Sequence, residues 1–453
     1  MRRRGTDTRR VRVAIAAVAV LALLAGCTAF QSLGGGHPEG DPGSDRLGWE
    51  NGYWYDDPLN VTASDGYNAS EREAVVARTM ARVEAIRDLE FNETVPVDVI
   101  SREQYLANRS GGGGSANHSR WNDQVWESLF IVGERSSFSN SSSETLGQSV
   151  QGYYSPGKDA IVLVSDSPTP TIDRTTLAHE LVHALQDQHF GFGADGDTQD
   201  QQLSNRGITE GDARYVDTLY ENRCEGQWGC IPKPKSDGGG GGSASTGYNR
   251  GLFLTIYTPY AAGSQFIDRV RAQSGWDGVN EVYDARPEST EQLIHPQLYP
   301  SEKPVNVTVP DRSSGEWRRF DVDPVADTVG EASVYAMLVH NGAVDPENRY
   351  GYDSEPSAGW GGDSVVPYTN GTVGGYVWET VWDSEGDAEQ FRSAYGAVLD
   401  SHDARNPRGN VYVIPDGEFA DAFRVVREGK RVRVVNAPTV DALDAVHSRS
   451  GSG

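Results

Sequence analysis

The chain has 453 residues, 65 Asp and Glu against 40 Lys and Arg, a net charge of −25, and five Lys beside 35 Arg. That length accommodates two domains with their own cores, and acid excess with scarce Lys suits a surface working in high salt, where screening removes the self-repulsion. The same balance offers no basic footprint, so nucleic acid is not an expected partner.

The N-terminus reads as an address. Arg2, Arg3, Arg4, Arg9, Arg10 and Arg12 precede an apolar run over 13–25, and about 13 residues are too few to span a bilayer. The run closes on Leu24-Ala25-Gly26-Cys27, which looks like a lipobox. Residues 1–27 are therefore expected to be a lipoprotein signal peptide. The mature chain would begin at Cys27, lipid-anchored through its thiol, with the body on the extracellular face of the cell membrane. Arg9-Arg10 is compatible with twin-arginine export, but the Val-Arg-Val that follows is a poor match to its usual apolar pair, so Sec and Tat both stay open. An uncleaved signal anchor is the alternative. Residues 28–48, rich in Gly, Pro and Asp, read as a flexible tether.

Helical periodicity follows over 71–89 and a strand over 95–100, while the Gly runs at 110–117 and 236–245 read as surface loops. Residues 153–164 have the pattern of a hairpin, lying directly before the richest segment of the chain. Its outer strand would receive a substrate backbone by strand addition, or be an ordinary sheet edge.

That segment is Thr176-Leu177-Ala178-His179-Glu180-Leu181-Val182-His183-Ala184-Leu185-Gln186, an HExxH sequence within an amphipathic helical pattern. Four residues apart on a helix, His179 and His183 project from one face and can grip a single Zn²⁺. Glu180 beside them is the expected general base for hydrolysis by a metal-activated water. An amphipathic helix with two coincidentally aligned histidines is the bland alternative.

A third ligand is needed. His189 has metzincin spacing, but Gln186 stands where that motif turns on Gly, so the helix continues and carries His189 about 9 Å past His183 along the axis. Met1, Met80 and Met337 are the only methionines, and none suits a Met-turn. Glu210, in Ile208-Thr209-Glu210-Gly211-Asp212-Ala213-Arg214-Tyr215-Val216, is the better candidate. This segment reads as the start of a second helix, with Gly211 and Ala213 permitting close approach to the first. Asp217 and Glu221 are rivals, and an acidic residue complementing a helix dipole is the structural alternative.

Cys224 and Cys230, the only cysteines besides Cys27, close a short loop and are expected to form a disulfide. Sequons at Asn60, Asn68, Asn92, Asn108, Asn117, Asn140, Asn306 and Asn370 are glycosylation candidates on an exported surface. Beyond residue 300, strands over 375–381 and 410–414, a helix over 384–399 and a hairpin over 424–435 suggest a compact α+β unit without recognisable chemistry. Glu331 could be a distant ligand, but a helix-start carboxylate explains it as well.

The runs His179–Gln188, Glu210–Ala213 and Ser289-Thr290-Glu291-Gln292-Leu293-Ile294-His295-Pro296 together resemble zincin-like, gluzincin-type surface lipoproteins of haloarchaea and bacteria. The likeness extends to Asp327–Glu331, Gly359–Asp363 and Trp382–Glu385. It implies a metallopeptidase core with His179, His183 and Glu210 as Zn²⁺ ligands, and supplies no substrate beyond a peptide or protein. The expected class is α+β, with a zincin-like catalytic domain over 49–300 and a smaller α+β domain over 301–447. The expected function is that of a surface-anchored zinc peptidase, its oxyanion stabilised by a donor such as His295, Tyr257 or Tyr260. Ser289–Gln292 also makes a sound capping box, so His295's segment has a structural reading as well. The alternative function is a non-catalytic surface binding or envelope protein that keeps the fold, disfavoured by the intact base Glu180.

Overall fold

The computed structural model describes residues 42–449 except 43, 62–65, 110–114, 147–149, 168, 194–195, 235–246, 347 and 349. The expected signal peptide, the lipidation residue Cys27, the tether before residue 42 and the Gly run at 236–245 lie outside the described residues, as do positions 110–114 of the earlier Gly run. Among the described residues no helix is long and apolar enough to cross a membrane.

A two-stranded ribbon, β1 (Trp49–Glu50) with β2 (Tyr53–Trp54), lies on α1 (Ala69–Arg87). Asn68 and Glu71 start that helix with a reciprocal capping box, and Asp88 ends it in the left-handed conformation. Next come β3 (Val97–Ile100), α2 (Arg102–Arg109), α3 (Ala116–Ser128), α4 (Phe138–Leu146), β4 (Gly152–Ser155) and β5 (Ala160–Val164). The hairpin expected over 153–164 is β4 and β5, antiparallel around a 3₁₀ turn at Pro156–Lys158. Strand β5, Ala-Ile-Val-Leu-Val, is buried throughout, as an uninterrupted apolar run requires, and sits between β4 and the parallel β3. Strand β4 is thus an edge.

Helices α5 (Arg174–Phe190), α6 (Gln199–Cys224), α7 (Arg250–Asp284) and α8 (Thr290–Ile294) complete this half. Asp173 caps α5 by accepting from the Thr175 and Thr176 amides. Leu177, Leu181, Val182 and Leu185 then pack on β4, β5, α1 and α6. The second helix begins earlier than its sequence suggests. Capped by Thr198, α6 starts at Gln199 and carries Glu210 about three turns in, so the helix-dipole explanation for that carboxylate falls away. Gly211 serves a different approach from the one expected. A Cβ there would come 2.4 Å from the Gly263 carbonyl carbon, and one on Gly263 would come 2.1 Å from Gly207 O, so α6 and α7 cross backbone to backbone. Cys224, the last residue of α6, is disulfide-bonded to Cys230.

The remaining elements are β6 (Arg318–Arg319), α9 (Gly330–His340), β7 (Trp360–Thr369), β8 (Gly374–Trp382), α10 (Glu385–Ser401), β9 (Arg405–Arg408), β10 (Val411–Val413), β11 (Ala422–Glu428), β12 (Arg431–Ala437) and α11 (Leu443–Val446). The strands form one antiparallel sheet in the order β6-β7-β8-β12-β11-β10-β9. Helices and separate sheets coexist without a repeating βαβ pattern, so the class is α+β. Asp45–Gly453 forms one compact unit, and Trp121, Val125 and Phe130 share a core with Trp378, Tyr395 and Phe423, so packing continues across position 300.

A polar frame joins the two halves at the start of α6. Asp327 Oδ1 accepts from the Gln199 amide, and Asp200 Oδ1 accepts from the amide and hydroxyl of Thr290. Asp363 accepts from the Val329 and Gly330 amides at the start of α9. Segments 289–296, 327–331 and 359–363 thereby hold the N-terminal end of the helix that carries Glu210.

Candidate metal centre

His179 and His183 leave α5 on one face, and Glu210 reaches them from α6. Glu210 Oε2 lies 3.2 Å from His179 Nε2 and 3.3 Å from His183 Nε2, and one donor atom from each residue falls within 4.8 Å of the others. The two imidazoles meet edge to face with centroids 4.8 Å apart.

Each ring is held from its far nitrogen. Asp217 Oδ2 is 3.1 Å from His179 Nδ1, and Gln186 Oε1 is 3.0 Å from His183 Nδ1. An acceptor at Nδ1 fixes each ring and turns its Nε2 toward Glu210, the nitrogen that a bound metal would take. Gln186 in turn donates to Thr209 O at 2.9 Å, tying the first ligand helix to the residue before Glu210. Asp217, a rival ligand on sequence grounds, is the orienting partner of His179, two turns along the same helix from Glu210. The other rival, Glu221, is committed to Arg174, Thr175 and Lys233.

The charges are coupled. Burial opposes the imidazolium of His179, but the hydrogen bonds it donates to Asp217 and Glu210 outweigh it and push the group up to about 10. Burial likewise opposes charge on His183, and Glu210 raises it. For Glu210 burial works against the carboxylate, and the two imidazoles more than reverse this, holding it below the usual range. Two imidazole nitrogens and one carboxylate oxygen, each oriented by a second residue, are a donor set that fits Zn²⁺.

Glu180 projects to the edge strand: its Oε2 accepts from the Tyr154 amide at 2.8 Å. The Tyr154 hydroxyl donates to Asp187 Oδ2 at 2.9 Å, fixing β4 against α5. Tyr260 of α7 stacks on His179 with centroids 6.1 Å apart; burial and then the Glu210 charge raise its hydroxyl well above the ordinary range. Tyr257 stacks on Tyr260. A cavity of about 370 Å³ opens over this group, lined by His183, Glu210, Tyr260, Tyr154, Phe192 and two cations, Arg206 and Arg286.

Not every expected site residue is here. His295 Nε2 lies 3.0 Å from Glu331 Oε1, the segment before it is the Ser289-capped helix α8, and His295 does not line the cavity. His189 lies outside the cluster, with Nε2 2.7 Å from Glu90 O. The sequence reading missed Gln186 as an orienting group, although its position three residues after His183 was a signal. It also missed Tyr154, Phe192, Arg206 and Arg286, which no local pattern marks. The sequon asparagines Asn60, Asn68, Asn92, Asn108, Asn117, Asn140 and Asn306 are exposed, whereas Asn370 is half-buried and accepts from the Thr372 and Val373 amides.

No curated protein and no solved structure matches the chain. Residues 318–447, which hold the whole seven-stranded sheet and none of the histidine cluster, match a family model described as a domain of unknown function, DUF8575.

Proposed function

We propose that this protein is a zinc-dependent peptidase of zincin-like type, anchored by a lipid on Cys27 at the extracellular face of the cell membrane and acting on peptide or protein substrates. The observation that carries the proposal is the convergence of His179, His183 and Glu210, with Glu180 on the same helix turned toward an edge strand. When bound there, Zn²⁺ supplies Lewis acidity, lowering the pKa of a water and polarising a scissile carbonyl.

The chain's own residues do the rest. Glu180, held by the Tyr154 amide, takes the water's proton and returns it to the leaving amine. The Tyr260 hydroxyl, kept protonated by burial, is the donor for the developing oxyanion. Strand β4, unpaired on its outer side among the described residues, receives the substrate backbone as an added strand. Phe192 offers apolar contact, and Arg206 and Arg286 favour acidic or C-terminal groups of the substrate.

The test is peptide-library cleavage in molar salt by the wild type and Glu180→Gln, with zinc content measured on both. Cleavage that requires Glu180 and is abolished by chelation supports the peptidase. A zinc-loaded wild type that cuts nothing the variant leaves intact moves the function to non-catalytic binding.

A further inference from the structure

Far along the chain from the histidines, Glu127, Glu134 and Asp421 each bring one carboxylate oxygen to within 4.8 Å of the others. They come from the end of α3, the turn after it and the residue before β11. Glu127 and Asp421 are 4% and 3% exposed, while Glu134 faces solvent. Buried carboxylates are costly without compensation, and here the protein supplies little. Gln124 Nε2 donates to Glu127, and Asn436 Nδ2 donates to Asp421 Oδ2 at 2.8 Å. Two guanidiniums lie nearby: Arg135 is exposed and pairs with Glu418 at 2.8 Å, and Arg120, over the Phe320 ring, lines the same cavity as Glu127 and Glu134 without an ion pair to either. Burial first, then the charges of Asp421 and Glu134, push the Glu127 carboxyl well above its ordinary range.

Neutral oxygens complete the picture. Asn436 is fully buried and its Oδ1 has no hydrogen-bond partner. Directly across the β12–β8 pair stands Tyr376, whose buried hydroxyl and that of Tyr395 have no partner outside their own pair. Tyr376 shares a sheet face with Asn436, the side chain that holds Asp421. A cavity of about 240 Å³, lined by Glu127, Glu134 and Gln124, connects the buried group with the exposed one.

We propose that Glu127, Glu134 and Asp421, with Asn436 Oδ1 completing the set, bind a calcium ion that staples α3 to β11 and β12. Oxygen-only donors select a hard cation over Zn²⁺, and an irregular set drawn from four segments suits the six to eight flexible oxygen contacts of Ca²⁺ better than the strict octahedron of Mg²⁺. The site is independent of the histidine cluster and of the peptidase proposal.

The experiment takes the full chain, strips it with EDTA, exchanges it into chelator-free molar KCl and titrates it with CaCl₂. Binding is followed by calorimetry, by thermal unfolding, and by tyrosine-sensitised emission of Tb³⁺ as a calcium surrogate. One Ca²⁺ per chain, a raised Tm and Tb³⁺ emission displaced by Ca²⁺ are expected. Glu127→Gln and Asp421→Asn should each weaken binding at least about tenfold, and His183→Ala should leave it unchanged. Absence of saturable Ca²⁺ and Tb³⁺ binding by the wild type overturns the proposal, as does binding that survives in the Glu127→Gln, Asp421→Asn double variant or is lost in His183→Ala. Should the double variant not fold, the variant at the exposed ligand decides: unchanged Ca²⁺ affinity in Glu134→Gln overturns the proposal, and binding weakened at least about tenfold supports it.

Discussion

The histidine cluster and the Glu127 cluster are both buried groups of ionisable side chains, yet they are built in opposite ways. In the first, each imidazole has an acceptor on its far nitrogen, and the one carboxylate is balanced by two rings that take up protons, so the group is self-compensated without an ion. In the second, carboxylates of one sign meet neutral oxygens, and Asn436 Oδ1 has no partner. Orientation by second residues presets a site for its metal, whereas an excess of acceptors leaves a site whose stability depends on what neutralises it.

The sharpest way to break the comparison is to remove a ligand. His183→Ala should lose stoichiometric zinc, because two protein ligands hold it too weakly, and elemental analysis retaining one zinc per chain would refute the ligand set. Glu180→Gln should keep zinc and fold while lowering peptide cleavage by at least about 100-fold, read from initial rates. The orienting role is tested next: Asp217→Asn and Gln186→Ala should each weaken zinc binding by roughly 10- to 100-fold in competition with a chromophoric chelator. Unchanged affinity in both would mean that the far nitrogens do not matter.

Packing comes below these. Gly263→Val forces side-chain atoms into the Gly207 backbone and should cost roughly 3 kcal/mol, measured by urea unfolding of the zinc-free chain, where an unchanged midpoint would contradict the backbone crossing.

The last expected effect is on pH dependence. Asp421 and Asp200 are each raised to about 7, chiefly by burial, from an unfolded value near 4. Their folded forms hold protons that the unfolded chain gives up, so stability is full below about pH 4 and is lost as pH rises toward 7, at up to roughly 1 kcal/mol per pH unit for each group. Asp200→Asn should flatten that slope in chelator-treated protein, and an identical pH profile would show that Asp200 ionises as it does in the unfolded chain.

Helices and strands with a strong local signature were legible. The periodicity of α1, the β4–β5 hairpin and the β11–β12 hairpin turning at Gly429 follow from nearby residues. The start of α6 was not, because Gln199 to Gly207 is too polar to show an apolar stripe, and its helix is fixed by the Thr198 cap and by contacts to Asp327 and Thr290. The continuity of packing across position 300 was equally invisible, since it depends on residues of α3 meeting a sheet more than 200 positions later.

By itself, the sequence placed His179 and His183 on one helix face with Glu180 beside them, because an i, i+4 spacing on a helix is a local geometric fact. On the following helix it offered three carboxylates, Glu210, Asp217 and Glu221, as candidate third ligands. Only the tertiary structure chose among them: the crossing of α5 and α6 turns Glu210 to both Nε2 atoms, gives Asp217 to His179 as an orienting partner, and leaves Glu221 to Arg174. His295 and Tyr260 were separated in the same way, since side chains distant in sequence meet or miss according to helix packing, which spacing along one chain segment does not encode.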